Sequence, residues 1–123
     1  MQQAAAQAYQ QTAKTAADPR DYEAQVLIKS AQNLQRIRND WEANRHELAD
    51  ALLYNRKLWT VFLDTVTKDD NPLPKAIRQN VANLGIFILG HTVDVQSSPS
   101  PEKLDVLINI NRELAAGLRA KPA

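Results

Sequence analysis

The chain has 123 residues, 44% hydrophobic and 24% charged, enough apolar material for one folded core and too much for a disordered tail. Fifteen Lys and Arg stand against fourteen Asp and Glu, a formal net charge of +1 spread along the sequence, so no strong field draws the protein to nucleic acid or membrane. Cysteine is absent, which excludes disulfides, thiolate nucleophiles and thiolate metal sites, and fits a reducing compartment.

The first segment, Gln3 to Ala16, is rich in Ala and Gln and carries one large apolar residue, Tyr9. Its composition favours helix, but it offers little surface for packing, so it reads as an N-terminal arm on a single domain spanning 1–123. Neither a basic start nor the apolar stretch of a secretory signal is present, and the expected location is cytoplasmic.

Three X-Pro junctions then mark helix starts: Asp18-Pro19, Asn71-Pro72 and Ser100-Pro101. Asp, Asn or Ser can accept a hydrogen bond from the free first-turn amides, and proline at the first helical position has no amide to leave unpaired. A fourth start reads from Asn44, with Glu47 three residues on, as a variant of the capping box. Between these marks apolar residues recur at steps of three and four. The second segment, from about Pro19 to Ala43, gives Leu27, Ala31, Leu34, Ile37 and Trp41. The third gives Leu48, Leu52, Trp59, Phe62, Leu63 and Val66. The fourth gives Ile77, Val81, Leu84, Ile88 and Val95, and the fifth Leu104, Leu107, Ile108, Leu114 and Leu118. Each is a helical stripe, and the alternation of a strand is missing. The expected fold is all-α: a compact bundle of about five helices with short polar loops at 68–71 and 96–100, consecutive long helices packing as antiparallel neighbours.

Catalysis has no visible seat. His46 and His91 lie on different predicted helices with no second ligand at helical spacing, so neither a metal nor a cofactor is expected. Adjacent Asp69 and Asp70 lack the alternating oxygen ligands of a calcium loop and read as a solvated turn. Gly85, Gly90 and Gly117 form no phosphate-cradling pattern. The most apolar run, Ile86 to Leu89, is far short of the ~20 residues that cross a bilayer. Bases such as Arg36 and Arg38 are flanked by Asp40 and Glu42, a solvated face and not a phosphate-binding patch.

Two segments carry more than a core needs. Asn55 lies one helical turn before Trp59, so an amide faces inward, either to tie a neighbouring helix or to meet a partner; internal ties are the commoner use. On the fourth helix Ile86, Phe87, Leu89 and Val93 add a second apolar set beside the stripe. Such a helix is either central to the bundle, the first reading here, or exposes a patch. Arg78 with Asn80, and Asn111 with Arg112, repeat the pairing of amide and guanidinium.

The run Leu53-Tyr54-Asn55-Arg56-Lys57-Leu58-Trp59-Thr60-Val61-Phe62 is followed by Leu73-Pro74, Ile77-Arg78-Gln79-Asn80, and Ile108-Asn109-Ile110-Asn111-Arg112 ending at Gly117-Leu118-Arg119. With Ala8-Tyr9 and Asp18-Pro19-Arg20 ahead of it, this series resembles the FlaF family of flagellar biosynthesis regulators over nearly the whole chain. The resemblance implies a cytoplasmic, non-enzymatic helper of flagellin production, flagellin-binding and chaperone-like, acting after the message is made and often opposite a second regulator, FlbT. A helical groove could cover an amphipathic flagellin segment by reading anchors at three- and four-residue steps. The expected groove holds Trp59, Phe62, Phe87 and Leu89, with Asn55, Arg56, Asn80 and Arg112 fixing register at its rim and Arg78 and Asn111 as further partner-binding residues. Direct contact with flagellin messenger RNA, or action on it through FlbT, is the alternative, and the balanced charge weighs against direct contact.

Overall fold

The computed structural model describes residues 19–120; the expected helix at Gln3 to Ala16 and the Asp18 cap lie outside the described residues. Five α-helical pieces follow, four of them long: α1 (Pro19–Asn39), the single turn α2 (Trp41–Asn44), α3 (Leu48–Val66), α4 (Lys75–Ser97) and α5 (Leu104–Arg119). Short 3-10 turns at Arg45–Glu47 and Pro101–Lys103 lead into α3 and α5, and no strand occurs among the described residues.

Helix α1 has proline at its first position, Asp21 in its first turn and Arg36 and Arg38 in its last, charges that complement the helix dipole. Ala24, Leu27, Ala31, Leu34 and Ile37 are fully buried along one stripe, as their spacing requires. Its end departs from the expected Ala43. Asp40 leaves helical geometry at φ −137° and ψ 70°, and the chain turns there. The same corner corrects the capping-box reading of Asn44 and Glu47. Asn44 Oδ1 accepts from Arg36 Nη1 at 3.3 Å, and Asn44 Nδ2 donates to the Arg36 carbonyl at 3.3 Å. Both Glu47 oxygens accept from the Arg36 guanidinium at 2.9 Å. A forked cation with several donors outcompetes lone backbone amides for these side chains.

The start of α4 also differs from the expected Asn71-Pro72 start. Asn71 Oδ1 accepts from the Leu73 amide at 2.9 Å, closing an Asx turn, while its Nδ2 donates to the Thr65 carbonyl at 3.2 Å. The cap residue is thereby committed to the loop, and helix begins only after Pro74. At Ser100-Pro101 proline does open the element, but as a 3-10 turn in which the Ser100 carbonyl, not its hydroxyl, accepts a bond, from the Lys103 amide at 3.3 Å.

Helices α1 and α5 form the longest contact and run antiparallel, since the end of α1 meets the start of α5 at Arg38–Asp105 (3.0 Å) and the opposite ends meet at Asp21–Arg119 (3.2 Å). Helix α3 pairs with α4. There Leu63 approaches so closely that a methyl placed on Gly85 would lie 2.7 Å from its Cγ. Helix α1 packs on α3 and joins the two pairs, whereas α4 and α5, although consecutive, barely meet. The short loop between them makes them sequence neighbours, but the core between α1, α3 and α5 draws α5 to α1. The most deeply buried large side chains, Trp59, Leu27, Leu34, Leu52, Ile88 and Leu107, come from all four long helices.

Candidate partner-binding site

Three of the expected site residues form one buried polar network. Asn55, on α3, is fully buried, and its Oδ1 accepts from Ser30 Oγ on α1 at 2.9 Å and from Asn111 Nδ2 on α5 at 2.7 Å. Asn111 Oδ1 in turn accepts from Trp59 Nε1 at 2.9 Å. The amides thus lock three helices at one level, because a buried polar group without its partner is costly. Asn55 Nδ2 is left without a protein partner. Trp59 also packs on Phe62, ring centroids 5.7 Å apart.

The remaining expected residues are scattered. Arg56, Asn80 and Arg112 are exposed, and Leu89 is half-buried. Arg78 is half-buried, with Nη1 donating to the Lys68 carbonyl at 3.0 Å, so it secures the loop after α3. Phe87 is exposed and stacks on His91, ring centroids 5.5 Å apart and 14° from parallel. Three of the four residues in the second apolar set on α4 face out, with Ile86 68% and Val93 60% exposed beside Phe87, so α4 is not the central helix of the bundle.

An apolar concavity lies elsewhere, at the end of the bundle where α1 begins and α3 and α5 finish. A cleft of about 420 Å³ is walled by Phe62 and Val66 of α3, Val81 of α4, and Leu114 and Leu118 of α5. Leu73 and Pro72 of the loop, with Arg20, Glu23, Thr65 and Asn71, complete the lining. Among the described residues α4 diverges from α5, and the cleft lies between the last turns of α3 and α5 and the early turns of α4. Of the expected groove residues only Phe62 lines it. Val66, Val81, Leu114 and Leu118 read in the sequence as core, and the structure buries Val66, Val81 and Leu118 and half-buries Leu114, so these residues belong to the core and wall the cleft at once. The available signal was their place in the last turn of α3, the first turns of α4 and the last turns of α5, where a bundle has fewest neighbours.

Burial, with Tyr22 adding to it, pushes the Tyr54 phenol above its usual range. Hydrogen bonds from Arg36 hold the Glu47 carboxyl below the ordinary carboxylate range. Among the described residues no group of three or more His, Asp or Glu side chains could hold a metal ion, and no helix is long and apolar enough to cross a membrane.

The described residues define an all-helical fold with an amide-locked core and an apolar cleft at one end. The family model described as flagellar protein FlaF matches residues 5–118, and the chain belongs to that family. No curated protein and no solved structure matches it.

Proposed function

We propose that this flagellar protein is a cytoplasmic helper of flagellin, promoting its supply and assembly by covering an amphipathic helical segment of the flagellin chain. The observation that carries the reading is the cleft at the open end of the bundle, whose walls are apolar side chains from α3, α4 and α5. Its volume of about 420 Å³ falls in the usual range of roughly 300–1,000 Å³ for pockets that seat a ligand, room for a few large apolar side chains at helical spacing. Arg20 and Glu23, of opposite sign, and Asn71 stand among the lining residues, so an amphipathic segment keeps its polar face near polar groups. Removing apolar flagellin surface from water prevents premature self-association, and occupancy of the cleft ties free helper to flagellin supply.

Calorimetric titration of the purified chain with flagellin and its terminal peptides tests this. Leu73→Glu and Leu114→Glu put a charge into the cleft from half-buried positions, and helicity by circular dichroism controls for folding. Loss of a buried anchor is worth about 2 kcal/mol, so affinity should fall roughly 30-fold in each variant. Folded variants with native affinity would remove the cleft from the mechanism. No heat from flagellin with the native chain would end the flagellin reading itself.

A further inference from the structure

From Gln79 to Val93 the chain carries no Asp, Glu, Lys or Arg, although 24% of the whole sequence is charged. Those residues form the middle of α4, and the outer face of that helix is therefore uncharged. At about 3.6 residues per turn, Asn83 and Gly90 fall opposite the buried line of Val81, Gly85, Ile88, Thr92 and Val95. Ile86 and Val93 run along one flank of that outer line and Phe87 along the other, all three exposed.

Among the described residues nothing requires glycine at position 90. It does not adopt positive φ, and beyond its chain neighbours and the backbone of its own helix a methyl added to it would meet no described atom within 4 Å. Glycine in mid-helix weakens the helix, so its presence here marks a notch that another backbone can approach. Phe87, held by its stack on His91, whose Nε2 sits 2.7 Å from the Lys103 carbonyl, forms one wall of that notch without needing to be ordered.

Charge at the ends of α4 indicates what approaches. Lys75 is exposed at the first helical position and Asp94 lies in the last turn, the reverse of what the helix dipole favours. Within the chain Asp94 is met by Lys103 at 3.2 Å, yet its side chain stays 58% exposed. An antiparallel second copy of α4 would bring the basic start of one helix to the acidic end of the other. A two-fold axis between Asn83 and Gly90 sets Ile86 of one copy against Phe87 of the other, Asn83 into the notch at Gly90, and Asp94 within a helical turn of Lys75. A face that meets itself must avoid like charges, and this one carries none along its length.

We propose that the outer face of α4 is a self-association surface, through which two copies of this chain pair as an antiparallel, two-fold helix contact centred near Ile86. The surface is separate from the cleft and stands whether or not flagellin enters the cleft. One helix pair buries less than the roughly 1,200–2,000 Å² of a stable complex, so the dimer is reversible at micromolar concentration.

Sedimentation equilibrium of the full chain across that concentration range is the test. The expected mass rises from 13.8 kDa toward twice that value. Gly90→Leu and Ile86→Asp should each hold the protein at monomer mass with an unchanged circular dichroism spectrum. Lys75→Glu and Asp94→Lys should each weaken the dimer by roughly fivefold, as exposed ion pairs do, and the double swap should restore it. A native chain that stays monomeric throughout that range overturns the proposal, as does a dimer indifferent to Gly90→Leu and Ile86→Asp. If the chain alone is monomeric and those two variants release flagellin instead, the face belongs to flagellin and the self-association reading is wrong.

Discussion

Asn55 spends one oxygen on two donors from two other helices, and Asn111 passes the network on to Trp59. The inward aim of Asn55 was legible, because it shares a helix face with Trp59 four residues on. Its partners were not, since nothing local tells Ser30 or Asn111 that α1 and α5 will meet α3 at that level. Asn111→Leu strands the Trp59 indole N–H in the core and should cost about 2 kcal/mol in urea-melt stability. Trp59→Phe with Asn111→Leu removes donor and acceptor together, so the double variant should lose less than the sum of the singles; strict additivity would show that the two side chains do not interact. At the surface, Arg36 is bonded to Glu47 and lowers its carboxyl pKa. A lowered folded value favours the folded state above the ordinary carboxylate range and loses that contribution as pH falls through the folded value. The pair is solvent-exposed, so the gain is small and is best read directly: by NMR the Glu47 carboxyl should titrate below the usual range in the native chain and return toward it in Arg36→Ala.

The two glycines of α4 separate what packing demands from what propensity allows. Gly85 faces Leu63, whose Cγ branch point is itself 2.7 Å from where a methyl would sit, so turning the terminal methyls cannot relieve the contact and α3 and α4 must part. Gly90 faces open space. Gly85→Ala should therefore lower stability by about 1–3 kcal/mol from overpacking, against a propensity gain of at most about 1. Gly90→Ala should raise it by about 0.5–1 kcal/mol at dilute concentration. Opposite shifts in melting temperature confirm the assignment of faces; shifts of the same sign would contradict it. The helices themselves were readable from stripes at three and four, and proline marked their neighbourhoods. Their ends were not readable, because Asn71 turns its side chain back on the loop and Arg36 claims Asn44 and Glu47, choices made by competition among side chains brought together in the fold.

Taken whole, the molecule is a wide α1–α5 pair with α3 against it and α4 held mainly by α3. The all-α bundle followed from the sequence, whereas the pairing of first with last helix did not, because stripes say that a face is buried but not against which partner. This asymmetry makes the cleft: Val81 on α4 and Leu114 and Leu118 on α5 face a space that no described helix fills. It also ranks the helices by how readily they open. Local opening is cheapest where the fewest apolar contacts must be given up, and α4 has one principal neighbour where α5 has a long contact with α1 and hydrogen bonds to α3. In native-state hydrogen exchange the amides around Ile88 should exchange through a sub-global opening that costs less than unfolding, while those around Leu107 exchange only when the whole domain unfolds. Equal protection at the two positions would mean that α4 is bound as firmly as α5. A ligand in the cleft bridges Val81 to Leu114 and Leu118, so its binding should raise protection along α4 more than along α1, by an amount that grows with ligand concentration. The same experiment therefore reports on the cleft without a substitution that could disturb the fold.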